Sequence, residues 1–149
     1  MLILNVEAEI AMREHAERGY PGEVCGLLIG SFEDGRQVRR ASSALPAVNL
    51  NRDRPEDRYV MNTADYLRIE TEARSRELEV VGVYHSNPDH PSRPSETDRL
   101  RAEEIWHSAE SWSYVILEVA SGLLASRSSW VLREGAFQEE EIHVVPFRP

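Results

Sequence analysis

Residues 78–98 read LEVVGVYHSNPDHPSRPSETD. The first six residues are largely apolar and rich in valine, which the pleated interior of a sheet favours, and from His85 on the side chains turn polar. A buried strand therefore leaves the core here, and a loop stiffened by Pro88, Pro91 and Pro94 follows it. If the strand stays extended as far as Asn87, then His85 and Asn87 point to the same face. Their Cα atoms are then about 7 Å apart, close enough for two side chains to converge on one ion. Asp98 falls in the first turn of the helix expected to begin at Ser95, where the loop can fold its carboxylate back toward the strand end. Three protein donors and a water make up a catalytic zinc site, and nitrogen with oxygen donors suits Zn²⁺.

Each position also has a plainer reading. Ser95 and Asp98 fit a capping box, in which they would serve the first amides of the helix and nothing else. His90, between Asp89 and Pro91, reads as a solvated loop histidine before it reads as a ligand. His15, His107 and His143 are scattered along the chain as structural or exposed residues. Cys25 stands inside an apolar run, which favours a buried inert thiol over a nucleophile paired with His85. On pattern alone Glu23 is an exposed acid.

Outward from this stretch, Glu7–Arg18 places Ala8, Ala11, Met12, His15 and Ala16 at helical spacing, with Gly19 and Pro21 as stop signals. EVCGLLIGSF (23–32) reads as a buried strand that EDG turns into a second one around RQVRRASSA (36–44), a hairpin. LPAVNLNRDRPEDR (45–58) reads as a long loop before the short strand RYVM (58–61). Asn62 or Thr63 can cap a second helix ending near Leu78. A third helix is expected from Ser95 through Ser108, then strands in SWSYVILEV (111–119) and LLASRSSWVL (123–132), and one last strand ending EIHVV. Strands and helices mix without a βαβ rhythm. The expected class is α+β, one domain over 1–149 with a mixed central sheet and about three helices on it.

A net charge of −9 argues against nucleic acid as a partner, because phosphate binding needs clustered cations. All 17 basic residues are arginine, so no lysine amine is offered for conjugation; both a GC-rich codon bias and adaptation to salt produce that composition. No window holds the roughly 20 apolar residues of a membrane helix. With a single cysteine the chain suits a reducing compartment, and a cytoplasmic location is expected. Trp106 and Trp112 are candidates for a homodimer surface, against the reading that each ring is buried within one chain.

YPGEVCGLLIG (20–30) followed by VVGVYHSNPDHPSRPSETD (80–98) resembles the JAMM (MPN-plus) metalloprotease family, in particular its small bacterial members of the Mov34/MPN/PAD-1 type. The family signature is a glutamate ahead of a glycine-containing apolar strand, then His-Ser/Thr-His-Pro, then Ser-x-x-Asp. The resemblance implies an MPN/JAB-like, cytidine-deaminase-like fold. It implies Glu23 as general base, His85 and Asp98 as zinc ligands, and Ser95 as the hydroxyl that supports the oxyanion. Where the family has its second histidine ligand, this chain has Asn87. Three donors remain open for that position: the Asn87 amide oxygen, His90, or an additional water. The implied reaction is hydrolysis of a peptide or isopeptide bond after the C-terminal Gly-Gly of a ubiquitin-like protein, in bacteria a sulfur carrier or its C-terminal adduct. The alternative is a metal-poor binding module that recognises such a partner without catalysis.

Overall fold

Asn5 starts the first helix: its side-chain oxygen accepts the Glu7 amide at 3.3 Å, serving one of the N–H groups that a first turn leaves without an internal partner. Helix α1 (Val6–Gly19) buries Ala8, Met12 and Ala16, one residue per turn on a single stripe. Asn62 caps α2 (Thr63–Ser75) in the same way, taking the Ala64 amide at 2.8 Å. That helix stops before Leu78 because Glu77 turns to a φ of 58° and the Leu78 amide bonds back to the Ala73 carbonyl. The computed structural model describes residues 1–50, 61–96, 98–99 and 111–146.

Eight strands form one mixed sheet in the order β7-β6-β5-β4-β2-β3-β1-β8. In chain order they are β1 (Leu2–Asn5), β2 (Cys25–Glu33), β3 (Val38–Ala47), β4 (Glu79–Pro88), β5 (Ser113–Ala120), β6 (Leu123–Arg133), β7 (Ala136–Glu140) and β8 (Ile142–Val145). Only Glu141 separates β7, at one edge, from β8, at the other, so the sheet must curl until its edges meet. Glu140 sits at that closure. Its carboxylate is 5% exposed and accepts the hydroxyls of Ser113 and Ser129, each at 2.7 Å. It also pairs with the Arg39 guanidinium, itself 1% exposed, and lies 2.9 Å from the α-ammonium of Met1.

Each face of the curl has its own core. On one, α1 packs through Met12 and Ala16 over Leu4, Leu28, Tyr84 and Val119. On the other, α2 packs through Ile69 and Ala73 over Cys25, Leu27, Val83 and Trp112.

The α+β class and the mixed sheet are those expected, and the β2–β3 hairpin turns through Asp34, Gly35 and Arg36, all at positive φ. Some expectations change, and others fall partly outside the described residues. Leu45–Ala47 belong to β3 and not to a loop, because Cys25, Gly26 and Leu27 of β2 pair with them. The single C-terminal strand is two strands on opposite edges, and β1, hidden in sequence by its run-on into α1, completes the far edge by pairing β3 and β8. Two helices are described in full; of the third, Glu96, Asp98 and Arg99 are helical and the remainder through Ser108 lies outside the described residues. Trp112 is 7% exposed inside the α2-side core, so it offers no dimer surface, and Trp106 lies outside the described residues. Of RYVM, only Met61 is described, in an isolated bridge to Asn49.

Candidate metal centre

Strand β4 runs on through Asn87 to Pro88, which places His85 and Asn87 on one face. Antiparallel pairing with β2 sets His85 opposite Cys25 and Tyr84 opposite Gly26. One step further, Val24 donates its amide to the Ser86 hydroxyl at 2.9 Å and accepts the Ser86 amide at 3.0 Å. The same register carried to the next pair sets Glu23 across from Asn87, and directly opposed residues share a face. Glu23, absent from any local pattern, thereby joins the two β4 residues. Its carbonyl accepts the Asn49 side-chain amide at 3.0 Å, and it lines a cleft of about 360 Å³ with His15, Val24, Ala47, Asn49 and Arg68.

The third element arrives from the loop. Ser95 and Asp98 make the reciprocal capping box: the Ser95 amide donates to Asp98 Oδ2 at 2.8 Å, and the Asp98 amide donates to Ser95 Oγ at 3.0 Å. The cap leaves the carboxylate free for a further contact, since Asp98 Oδ2 also lies 3.6 Å from His85 Nε2, with the two side chains 18% and 7% exposed. That separation is too long for a hydrogen bond. It suits two ligands of one ion, since donors about 2.0–2.1 Å from a tetrahedral zinc stand about 3.4 Å apart. The residues present therefore fit a zinc ion through one imidazole and one carboxylate, with Asn87 able to add an amide oxygen. Among the described residues no three His, Cys, Asp or Glu side chains gather as a group that could hold a metal ion.

Asn87 is anchored by its amide nitrogen, which donates to the carbonyls of Pro91 at 2.9 Å and Arg93 at 3.4 Å. His90 is exposed in that loop, its amide bonded to the Asn87 carbonyl at 3.4 Å. Cys25 is fully buried, with its sulfur 3.9 Å from the Ala47 carbonyl, which removes the Cys25–His85 nucleophile from reach of any substrate. His15 bonds Tyr84 Oη through Nδ1 at 2.7 Å; burial, then the charge of Arg18, lowers its pKa. His143 is exposed beside Glu141, and His107 lies outside the described residues.

Two residues missed in sequence shape the site. Asp89 accepts the Tyr20 hydroxyl at 2.6 Å and the Ser121 amide at 3.0 Å, and these bonds hold its carboxyl below the usual range. Glu118 is the parallel partner of Asn87 on β5, so the two stand side by side at the end of β4. A signal for it existed, since Glu118 is the one charged residue in SWSYVILEV.

Residues 6–133 match the family described as prokaryotic homologs of the JAB domain. The chain belongs to that family. As a JAB-domain protein it is 27% identical over 146 residues to the CysO-cysteine peptidase of Mycobacterium tuberculosis (strain ATCC 25618 / H37Rv), covering 97% of this chain and 92% of the relative. It is 32% identical over 105 residues to the desampylase of Haloferax volcanii, covering 68% and 72%. The crystal structure of AF2198, a JAB1/MPN domain protein from Archaeoglobus fulgidus, superposes with a TM-score of 0.56 at 18% identity over 97% of each chain, a likeness of fold. No described helix is long and apolar enough to cross a membrane.

Proposed function

We propose that this chain is a zinc-dependent peptidase or isopeptidase that cleaves after the C-terminal Gly-Gly of a ubiquitin-like sulfur-carrier protein or releases its C-terminal adduct, working in the cytoplasm. The observation that carries the reading is the 3.6 Å approach of His85 Nε2 to Asp98 Oδ2 at the end of β4, the strand that also carries Asn87. His85, Asp98 and the Asn87 amide oxygen would hold the ion. When bound, zinc brings the pKa of a water toward about 7 and polarises a carbonyl.

The chain's own groups supply the rest. Glu23 accepts the proton of the attacking water and returns it to the departing amine. The Ser95 oxygen accepts the Asp98 amide, which leaves its hydroxyl proton for the oxyanion that develops on the scissile carbonyl. The relatives named a CysO-cysteine peptidase and a desampylase support hydrolysis as the reaction class.

The deciding experiment measures metal content in protein purified without chelator, and cleavage of a ubiquitin-like carrier ending in Gly-Gly-Cys. Expected are one zinc per chain, and cleavage that a chelator abolishes and added zinc restores. A metal-free chain that cleaves nothing would favour the second reading, a binding module. The substitution of the family's histidine by Asn87 is the observation on its side, and a zinc site gained only by Asn87→His would establish it.

A further inference from the structure

A ligating histidine ordinarily does two things: one ring nitrogen binds the metal, and the other donates its N–H to a carbonyl or carboxylate that fixes the ring. Asn87 has the same division of labour available in one amide. Its nitrogen faces two backbone carbonyls, Pro91 at 2.9 Å and Arg93 at 3.4 Å, and neither could accept from an oxygen. The side chain therefore cannot be turned over, and Oδ1 is directed away from the loop. No described residue donates a hydrogen bond to that oxygen.

The loop so held is the one that delivers Asp98. Between Pro88 and Ser95 it is fastened at its start by Asp89, whose amide bonds the Val119 carbonyl at 2.7 Å and whose carboxylate takes Tyr20 and Ser121. In its middle, the Ser92 hydroxyl meets that of Ser126 at 3.0 Å, which donates in turn to Glu118, and the Ser128 hydroxyl bonds the Ser92 carbonyl. These ties secure the loop to β5 and β6. Only the Asn87 amide, among the described side chains, ties the Pro91–Arg93 segment back to β4, the strand that carries His85.

We propose that Asn87 is a positioning residue whose amide nitrogen sets the distance between Asp98 and His85, while the same bonds aim its oxygen at the cation. The second half rests on the zinc reading above; the first does not. A carboxylate in place of the amide separates the two roles. Asn87→Asp keeps the shape and supplies a better metal donor, yet it has no N–H and its charge is repelled by both carbonyls.

The test compares wild type, Asn87→Asp and Asn87→His as metal-free proteins. Amide exchange is followed by NMR at Ser95 and Asp98, and affinity by titration with Co²⁺. In Asn87→Asp the two amides should exchange about fivefold faster, the scale set by losing an ordinary hydrogen bond. Co²⁺ should bind about 10–100-fold more weakly, as when a supporting partner of a ligand is removed. Asn87→His, with one N–H for the loop and one nitrogen for the cation, should restore both. Unchanged exchange in Asn87→Asp, or Co²⁺ bound more tightly than by wild type, would overturn the proposal. If no form binds Co²⁺ the zinc reading fails, and the exchange rates still decide whether Asn87 holds the loop.

Discussion

Asp98 takes part in a helix cap and a candidate ion site with one carboxylate. This costs nothing chemically, because a carboxylate has about four acceptor positions and the Ser95 amide uses one. The same economy lets Ser95 accept from the Asp98 amide and still donate. Glu23 carries a single duty in the reading offered above, so it gives the cleaner test. Glu23→Ala should reduce cleavage by about 10²–10⁴-fold while zinc content stays at the wild-type value; retained activity would move the base elsewhere. Residue types at His85, Asn87 and Asp98 were readable because strand alternation and a helix first turn are local rules. No such local rule singled out Glu23, which only the family resemblance named, and the lone charge of Glu118 in its strand did not reveal that pairing sets it beside Asn87.

At the scale of elements, the β2–β4 pair is what brings Glu23 to β4, and Gly26 allows the two strands to carry Tyr84 between them. A Cβ on Gly26 would lie 2.3 Å from the Tyr84 ring, a contact that nothing but movement of the ring relieves. Tyr84 is fully buried and bonded to His15, and burial pushes its phenol well above the ordinary value, so it stays neutral. Gly26→Ala should therefore cost about 1–3 kcal/mol by overpacking, read as a lower denaturant midpoint at unchanged slope. The α2 cap and the hairpin turn were legible here, since Asn62 and Gly35 act on neighbours within three residues, whereas the Asn5 cap of α1 was not read. The extension of β3 through Leu45–Ala47 was not, because its partner is β2 and its own composition looks like a loop.

Over the whole molecule, closure of the sheet depends on Glu140, where four donors from separated parts of the chain converge. Burial pushes its carboxyl upward, but the hydrogen bonds from Ser113, the α-ammonium and Ser129, with the charge of Arg39, win and leave the pKa below 4.5. A depressed folded-state pKa stabilises the fold above the unfolded value, and that contribution is lost as pH falls through the folded one. Glu140→Gln, which strands Arg39 as a buried charge, should cost about 3–5 kcal/mol at neutral pH. Denaturation between pH 7 and pH 3 should then show a shallower acid loss than in wild type; an unchanged slope would place the acid sensitivity in other carboxylates.

By itself the sequence determined the α+β class, the two described helices, most strand cores and the residue types offered to a cation, because periodicity, caps and turns act over a few neighbours. Tertiary structure alone decided which of those residues meet. The β2–β4 register, the curl that puts β7 and β8 on opposite edges, and the loop bonds that carry Asp98 to His85 all join residues far apart in the chain. Such contacts exist only after the sheet has paired, and no local pattern encodes a partner's position.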